Sequence, residues 1–521
     1  MSLRACLKKY KMISFFCFVL LILISLPILF DACTRKSDVL SQQEIMQLFT
    51  ICICVSVLLV IGFCLLLSKI ELQIHIIFII AAIIIGTAYI IVIPPGGVPD
   101  ESNHYLTAYS YSSILIGSQA KDTNGNVALR ENDDEFLYRG PHQFSQDNYY
   151  RQYLTLFDSH DGSNSNDYMI SQENHSPLQI SPIAYIPQIL GLSASRILGI
   201  NAVATYYMGR LCSLFFYILL VSIAIKKAPF SKVLFFIVAL LPMSLQQGMS
   251  YSYDSMLIAA SLLSISYILF LAYDKQKKAM SSKDYIFLIA LLVLIMASKW
   301  IYSIFFLLGV LIPQEKFGSS KKKILVMIIF CFVVICCFLI FQMLGKDKIT
   351  GLSSVADTGF SIEYIFTHKK QIIAMFLRTI HSYFDFYFYS TISNYFGWLN
   401  IIIPQIFTTG YFLLLIFSLI AYDQNQLILD YKGKVLFALI CLMLFLFIEF
   451  GLLIDWTDIN SVVIQGVQGR YFIPMLPLLF LIFQNNIIVS RIRLDKYLII
   501  VFYIIQTFTI IEILNSILSM N

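Results

Sequence analysis

Hydrophobic residues run along the chain in blocks of about twenty, the length that an α-helix needs to cross the roughly 30 Å hydrocarbon core of a bilayer. Short polar segments separate most of these blocks. Continuous apolar blocks are typical of membrane-spanning helices rather than of the alternating strands of an outer-membrane barrel. The pattern predicts spans at residues 13–30, 48–67, 74–93, 202–225, 233–247, 255–273, 285–313, 324–344, 398–422, 435–454, 472–490 and 497–518.

Two apolar segments do not fit a single span. Residues 285–313 are too long for one helix and have basic flanks on both sides, so we expect two short helices that meet near residues 298–300. A helix break at membrane depth is tolerated where it lines a polar cavity. Residues 181–199 are interrupted by Pro182 and Pro187 and are expected to form a membrane-surface or re-entrant helix.

The composition agrees with a membrane protein, because 58% of the residues are hydrophobic, 13% are charged and the mean hydropathy is +0.78. A soluble domain with these residues would lack the polar groups to cover its surface. Only one of the eleven cysteines, Cys33, falls in a predicted external loop, so no disulfide framework is required. No Cys/His spacing indicates a zinc site. The net charge of +5 is better explained by membrane orientation than by nucleic-acid binding.

The loops between the predicted spans differ in charge. The positive-inside rule assigns basic loops to the cytoplasm, and these are residues 226–232, 274–283, 315–323, 430–434 and 491–496. Residues 100–173, on the opposite side, contain twelve Asp or Glu against four Lys or Arg. Four basic residues precede the block 13–30 and no cleavage site follows it, so this block is predicted to be a retained signal anchor.

The spans divide the chain into three parts. Residues 1–73 are predicted to form an N-terminal membrane anchor hairpin, residues 74–490 the main transmembrane domain, and residues 491–521 a C-terminal transmembrane helix. The main domain contains a large external loop, residues 94–181, whose centre is polar. A loop of this length is usually functional or disordered.

An ionisable cluster begins this loop, in the sequence PPGGVPDESNHY. Pro99 suits a first helical position, which leaves Asp100 and Glu101 in the opening turn. His104 follows four residues after Asp100 on the same helical face. The acids either begin an ordinary surface helix or lie partly desolvated at the mouth of a membrane cavity. In the second case Asp100 or Glu101 would take a proton from an acceptor hydroxyl, with His104 as a tuning partner or acceptor contact.

Two basic residues in apolar surroundings are candidates to hold a phosphate group on the same side. Arg470 lies where the last external loop re-enters the bilayer, and Lys299 lies at the expected helix break. The alternatives are ordinary snorkelling for Arg470 and a structural bond to a carbonyl or an acid for Lys299. Asp455 and Asp458 are candidates to pair with Arg470.

Polar and aromatic residues near this side are candidates for sugar binding. Asp254 begins a predicted span beside Tyr253, where the acid either has a structural role at the helix start or bonds sugar hydroxyls while the tyrosine stacks on the ring. Tyr185, in SPIAYIPQ, is a further substrate-binding candidate. The aromatic segment 382–400 is either an interfacial belt or the lining of an acceptor groove.

In their order along the chain, these stretches resemble a bacterial family of polytopic membrane proteins of unknown function that is grouped with the GT-C superfamily of glycosyltransferases. The resemblance rests on PDESNHY, SPIAYIPQILGLSASRILG, GRL, ALLPMSLQQGMSYSYDSM, ASKWIY, FGWLN and QGRYFIPMLPLL. It implies an all-α GT-C-like bundle of about 11–14 transmembrane helices, with interfacial helices in a long external loop. It also implies that Asp100 is the catalytic base, and it leaves open a divalent cation, Mg²⁺ or Mn²⁺, at Asp100 or Glu101. The hairpin before residue 74 departs from the superfamily pattern.

The resemblance implies a glycosyltransferase of the bacterial cytoplasmic membrane whose active site faces outside. It would move a sugar from a polyprenyl-phosphate donor to an extracytoplasmic glycan or a lipid-linked acceptor in surface-polysaccharide synthesis, in contact with membrane lipids and without nucleic acid. A nucleotide-sugar donor is not expected, because the short cytoplasmic loops carry no glycine-rich phosphate loop. The alternatives are a transporter or flippase, which predicts charges through the midplane and internal repeats, and a polymerase or ligase with paired external arginines.

Overall fold

The computed structural model describes residues 37–69, 71–139, 147, 149–151, 168–170, 177–344, 360–420, 429–485, 487–488, 490 and 492–520. Most of these residues are helical, and the strands form two small antiparallel sheets. The prediction of an all-α integral membrane protein is confirmed. The predicted span 13–30 and most of the polar centre of the external loop lie outside the described residues.

The described elements are seventeen α-helices, four 3-10 helices and four short strands. The α-helices are α1 (Gln42–Lys69), α2 (Ile74–Val92), α3 (Glu101–Ile116), α4 (Glu131–Arg139), α5 (Ile186–Ile197), α6 (Ala202–Lys227), α7 (Lys232–Leu240), α8 (Pro242–Gly248), α9 (Asp254–Tyr273), α10 (Ser282–Ser298), α11 (Ser320–Leu344), α12 (Ile362–Thr367), α13 (Lys369–Ile392), α14 (Gln405–Phe417), α15 (Tyr431–Asp455), α16 (Leu476–Leu481) and α17 (Asp495–Leu518). The 3-10 helices are Pro182–Tyr185, Trp300–Leu311, Gln314–Phe317 and Gly469–Met475. Strand β1 (Ala128–Arg130) pairs with β2 (Tyr168–Ile170), and β3 (Tyr395–Phe396) pairs with β4 (Ile401–Ile402).

Seven of the described helices are long and apolar enough to cross a membrane, namely α1, α2, α6, α9, α11, α15 and α17. Hydrophobic side chains on such a helix are compatible with the hydrocarbon core of the bilayer. The backbone N–H and C=O groups within the span are hydrogen-bonded to each other inside the helix. Helix α9 is the most enclosed of the seven, since 89% of its apolar window is buried, whereas none of the window of α11 is buried. Helix α9 therefore lies at the centre of the bundle and α11 at its edge.

The prediction of one span at residues 233–247 is wrong, because the chain breaks there into α7 and α8. Leu241 adopts an extended conformation, and Pro242, which has no N–H to donate, begins α8. Every residue from 233 to 248 is buried. Protein rather than lipid surrounds this broken helix, and the freed backbone groups are tolerated for that reason.

The break expected near residues 298–300 is confirmed. Helix α10 ends at Ser298, Lys299 is extended, and a 12-residue 3-10 helix follows from Trp300 to Leu311. At about 2.0 Å per residue this helix covers roughly 24 Å, where an α-helix of the same length would cover about 18 Å. Lys323 then binds the carbonyl oxygens of Val310 and Ile312 at 2.8 and 2.6 Å, so the chain returns to the basic side from which α10 started.

Two further predicted spans are shorter than expected. In the described part of the segment 398–422, which ends at residue 420, only α14 is helical, and the β3–β4 hairpin precedes it. The segment 472–490 forms the end of a 3-10 helix and then α16, which stops at Leu481. Pro474 and Pro477 lie in this segment, and each removes a backbone donor that a regular helix would use.

Helix α5 lies against the first half of α6, as expected for a surface or re-entrant helix. The two approach closely at Gly191, where an added Cβ would lie 2.6 Å from the carbonyl oxygen of Met208. The opposite face of α5 is apolar and exposed, with Ile186, Leu190 and Ile197 pointing away from the protein. An exposed apolar face on an otherwise packed helix is suited to contact with lipid.

The helix termini form two ends of the molecule. The basic end contains the starts of α2, α7, α10, α15 and α17 and the ends of α6 and α9. It is tied by Lys316, which binds the carbonyl oxygens of Leu271 and Asp274, and by the ion pair of Lys277 with Asp284 at 2.7 Å. The site end contains the end of α2, the start of α9 and the end of α15.

Candidate functional site

A buried ion pair joins α3 to α6 at the site end. Glu101, the first residue of α3, accepts hydrogen bonds from Nε and Nη2 of Arg210 at 2.9 and 2.6 Å. Both side chains are completely buried. A two-point contact matches the fork of the guanidinium and offsets part of the cost of removing both charges from water. The pair fixes the start of α3 on the transmembrane bundle.

The segment between α2 and α3 is fixed by the same arginine and by two aromatic residues. Arg210 donates to the carbonyl oxygens of residues 93–94 at 2.6 and 2.8 Å. The N–H of Gly96 donates to the hydroxyl of Tyr206, and the indole N–H of Trp398 donates to the carbonyl oxygen of Gly96, both at 2.9 Å. These hydrogen bonds therefore hold the backbone of the glycine-rich segment PPGGVPD in place between α2 and α3.

Asp100 directly precedes Glu101 but points elsewhere. Its backbone lies in the left-handed region, at φ 63°, which is strained for most residues and is tolerated better by Asp than by larger side chains. The Asp100 side chain is 48% exposed, whereas that of Glu101 is fully buried. Of the two neighbouring acids, Asp100 is the one whose carboxylate a ligand can reach.

Arg470 is the cation opposite Asp100. Its Nη2 lies 3.2 Å from Oδ2 of Asp100, and its Nε lies 3.5 Å from Oδ2 of Asp254, at the start of α9. The side chains of Arg470 and Asp254 are almost completely buried. Among the described residues, Nε of Arg470 and Oδ1 of Asp254 have no hydrogen-bond partner. These contacts are longer and less complete than those of the Glu101–Arg210 pair.

The 3-10 helix that carries Arg470 is fixed against α13. The N–H of Gly469 donates to Oγ of Ser390 at 3.1 Å, and Oγ1 of Thr391 donates to the carbonyl oxygen of Gly469 at 3.1 Å. A Cβ at Gly469 would lie 2.2 Å from the backbone N of Thr391. Only glycine permits this approach, so the sequence QGR sets the position of the arginine.

Lys299 and Arg470 meet at the same aromatic ring. The ammonium of Lys299 lies 3.9 Å from the ring centroid of Tyr471, and the guanidinium carbon of Arg470 lies 5.4 Å from it. The hydroxyl of Tyr302 donates to the backbone carbonyl oxygen of Tyr471 at 2.7 Å, which fixes the backbone of that residue. Cation–π contacts of this kind stabilise a positive charge without neutralising it. The two cations predicted from the sequence are therefore neighbours.

His104 lies one helical turn after Asp100, in a group of aromatic side chains. Its Nδ1 is 2.7 Å from the hydroxyl of Tyr185, and its ring packs edge-on against Tyr253 at a centroid distance of 5.3 Å. Burial, with a smaller contribution from the charge of Arg470, lowers the pKa of His104 to about 3. The imidazole is neutral at physiological pH and does not act there as a general acid.

A comparison with known families identifies the chain at a general level. Residues 82–479 match the family model described as a predicted membrane protein (DUF2142), and this segment is more than half of the chain. The chain belongs to this family. No curated protein and no solved structure matches it.

The segment of this DUF2142 chain that matches the family contains every residue predicted for the site and also their partner Arg210. Helices α1 and α17 lie outside it. The family is one of membrane proteins of unknown function, so the match supports the fold class and leaves the activity to be inferred from the site.

Some residues of the site were not singled out in the sequence. Arg210 belongs to the GRL of the family resemblance, and a lone arginine inside an apolar span indicates a buried partner. The prediction that Asp455 or Asp458 pairs with Arg470 is wrong, since Asp100 and Asp254 are its partners. Asp458 instead accepts from the N–H of residue 460 at 2.8 Å.

The acids of the site do not form a metal centre. Among the described residues, no group of three or more His, Cys, Asp or Glu side chains is arranged to hold a metal ion. Asp100 and Asp254 both contact the guanidinium of Arg470, and Glu101 forms an ion pair with Arg210. The side chains present therefore do not fit a bound Mg²⁺ or Mn²⁺.

The three tryptophans of the chain all lie at the site end. Trp300 follows Lys299, Trp398 contacts the connection before α3, and Trp456 follows α15. Each is between 44% and 48% exposed. Half-exposed tryptophans are typical of the membrane–water interface, and they indicate that Arg470 lies near headgroup depth.

Proposed function

We propose that this protein is a GT-C-type glycosyltransferase that moves a sugar from a polyprenyl-phosphate donor to an extracytoplasmic glycan or a lipid-linked acceptor. The proposal sets it in a bacterial cytoplasmic membrane, with the site end outside. The observation that carries it is the pairing of a ligand-accessible carboxylate, Asp100, with an incompletely bonded guanidinium, Arg470, at interfacial depth.

The reaction needs a base for the acceptor and a cation for the leaving phosphate. The acceptor hydroxyl oxygen forms a bond to the anomeric carbon, and the bond from that carbon to the lipid phosphate breaks. The electron pair of the broken bond stays on the phosphate, and the hydroxyl proton passes to Asp100. The products are the glycosylated acceptor, with inverted anomeric configuration, and polyprenyl phosphate.

Arg470 exchanges partners in this scheme. In the free protein its Nη2 lies 3.2 Å from Oδ2 of Asp100, so the arginine occupies the carboxylate that an acceptor hydroxyl would approach. A lipid phosphate carries more charge than a carboxylate and accepts two parallel hydrogen bonds from a guanidinium. When the donor binds, Arg470 turns to the phosphate and Asp100 is released to accept a proton. Lys299, which contacts the ring of Tyr471, adds the second positive charge.

The other residues have supporting roles in the proposal. Glu101 acts as a positioning residue, because its carboxylate is buried and doubly bonded to Arg210. Neutral His104 is hydrogen-bonded through Nδ1 to the hydroxyl of Tyr185. In the tautomer that carries its proton on Nε2, the imidazole accepts from Tyr185 and has an N–H left to donate to a sugar hydroxyl. Tyr253 and Asp254 line the same side and are suited to contact the sugar ring.

The proposal is tested by comparing surface glycans in a deletion strain complemented with wild type, Asp100→Asn or Asp458→Asn. Asp458 is an acid of the same end that contacts only local backbone in the described residues, and it serves as the matched control. Loss of one sugar residue or branch with Asp100→Asn, and its restoration by the control, supports a transferase. Unchanged glycan with Asp100→Asn contradicts the assignment. Accumulation of complete lipid-linked oligosaccharide on the inner face indicates a flippase instead.

A further inference from the structure

A cavity of about 440 Å³ lies at the basic end, on the opposite side of the bundle from Asp100. Helix α2 separates the two regions by about 28 Å, the length of its 19 residues. Polar and charged residues on its wall include Ser231, Lys232, Gln484, Arg493 and Asp495. The proposed transfer reaction uses none of them.

Three helices begin at this cavity. The wall includes the first residue of α2, Ile74, the cap and first turn of α7, Ser231 to Val233, and the cap and first residue of α17, Leu494 and Asp495. None of the three N-caps makes a side-chain hydrogen bond to its helix. The opening N–H groups of each helix lack intrahelical partners, and three helix dipoles add their positive ends at one place.

The side chains strengthen the preference for an anion. Lys232 and Arg493 bring two positive charges to the wall, against one carboxylate, Asp495. Within the described part of the chain, the ammonium of Lys232 has one hydrogen-bond contact, to the carbonyl oxygen of Lys226 at 3.2 Å, and two of its three hydrogens are left for other acceptors. Asp495 belongs to the first turn of α17 and offsets part of the charge there.

Gln484 gives an independent sign that a ligand belongs in the cavity. Its side chain is 1% exposed, its Nε2 donates to Oγ of Ser231 at 3.0 Å, and its Oε1 has no hydrogen-bond partner among the described residues. Lys434 fixes the same residue through its backbone carbonyl oxygen. A buried amide oxygen without a donor is costly, and a ligand that carries a hydroxyl or amine satisfies it.

We propose that this cavity binds a phosphate ester that also carries a hydroxyl or amine donor. The phosphate lies at the three helix starts between Lys232 and Arg493, and the donor reaches Oε1 of Gln484. Apolar wall residues, among them Phe230, Val233 and Leu419, accommodate a carbon skeleton next to the phosphate. Two sources share this chemistry, the headgroup of a phospholipid at the basic end and a soluble phosphate ester.

The test uses purified full-length protein in nanodiscs. For the soluble source, titration calorimetry in phosphatidylcholine nanodiscs compares glycerol 3-phosphate, which has hydroxyl donors, with methyl phosphate, which has none. For the lipid source, native mass spectrometry compares retention of phosphatidylglycerol with that of phosphatidylcholine. The variants are Lys232→Gln and Gln484→Leu, and the control is Lys283→Gln, an exposed lysine at the same end but outside the cavity.

We expect one molecule of glycerol 3-phosphate or of phosphatidylglycerol to bind per chain in wild type and in the control. Lys232→Gln should weaken binding about tenfold, the effect of one charged hydrogen bond. Gln484→Leu should retain phosphate binding but lose the preference for the ligand with hydroxyl groups. The proposal is overturned if neither probe binds, or if folded Lys232→Gln and Gln484→Leu proteins both bind as wild type does.

Discussion

Glu101 and Arg210 form a completely buried two-point ion pair across 109 residues of sequence. This pair sets the start of α3 against α6, and the residue directly before it, Asp100, has a left-handed backbone. The carboxylate of Asp100 contacts Arg470, whereas that of Glu101 contacts Arg210. Two adjacent acids acquire different roles because one has a tight, buried partner and the other a loose, accessible one.

The first prediction concerns the stability contributed by this pair. Glu101→Gln should lower the free energy of unfolding by about 3–5 kcal/mol, because the buried guanidinium of Arg210 is left without its counter-charge. Thermal unfolding in detergent measures the effect. The matched change at the next position, Asp100→Asn, should shift the midpoint little, since that side chain is half exposed. Equal shifts for the two variants would contradict the assignment.

The second prediction concerns Asp100 in the proposed transfer. Asp100→Asn should reduce transfer from a polyprenyl-phosphate sugar about 10²–10⁴-fold, the usual contribution of a general base. Donor binding should persist, because the asparagine no longer competes for Arg470. Activity assays and donor-binding assays on the same purified protein separate the two effects. Activity within a few fold of wild type would argue against Asp100 as the base.

The third prediction concerns the coupling of Arg470 with Asp254. Arg470→Gln alone should be strongly destabilising, since it leaves the buried carboxylate of Asp254 without a cation. Adding Asp254→Asn should recover at least about 1 kcal/mol of that loss, as expected for residues in direct contact. A double-mutant cycle in thermal unfolding measures the coupling. Strictly additive effects would mean that the two charges do not interact.

The fourth prediction concerns the pH dependence of stability. The folded protein holds the pKa of His104 at about 3, below the ordinary value of 6.5, so the unfolded chain binds the extra proton as the pH falls. Above pH 6.5 this group does not lower the free energy of unfolding. At pH 5 it should lower that free energy by about 2 kcal/mol. His104→Gln should flatten this part of the profile. Variant and wild type are compared at each pH, so that contributions from all other ionisable groups cancel.

The fifth prediction concerns the close approach of Gly469 to α13. Gly469→Ala should destabilise the protein and displace Arg470. The added Cβ would lie 2.2 Å from the backbone N of Thr391, and backbone atoms within a helix move only at a large cost in free energy. The control is Gly451→Ala in α15, where nothing lies within 4 Å of the added Cβ. That change should be neutral or stabilise by up to about 1 kcal/mol. A neutral Gly469→Ala would show that the loop has room to move.

Hydropathy predicted the long spans well and the broken ones poorly. Helices such as α2 and α9 need only a continuous apolar block, which can be read directly from the chain. The break at Pro242 and the short α16 depend on protein surrounding the free backbone groups, and a hydropathy block does not show what surrounds it. The break at Lys299 was foreseeable because the block there is too long and both flanks are basic.

The candidate site was predicted as residue types but not as partnerships. Arg470, Lys299, Asp254 and Asp100 could each be chosen because charged residues beside apolar spans are rare. Which acid meets which arginine could not be chosen, since Asp455 is closer in sequence to Arg470 than Asp100 is. Ion pairing depends on distances of a few ångströms between helices that are far apart in the chain.

The sequence by itself determined that this chain is a polytopic helical membrane protein, because the bilayer imposes a length and a hydrophobicity that each span must meet alone. It also determined that its rare ionisable groups gather near the ends of the spans. Only the tertiary structure decided that Glu101 is buried in an ion pair with Arg210 and that Asp100 remains accessible. The tertiary structure alone brought three helix starts to one cavity. Charges and helix termini interact at short range, and the packing of the bundle sets the distances between them.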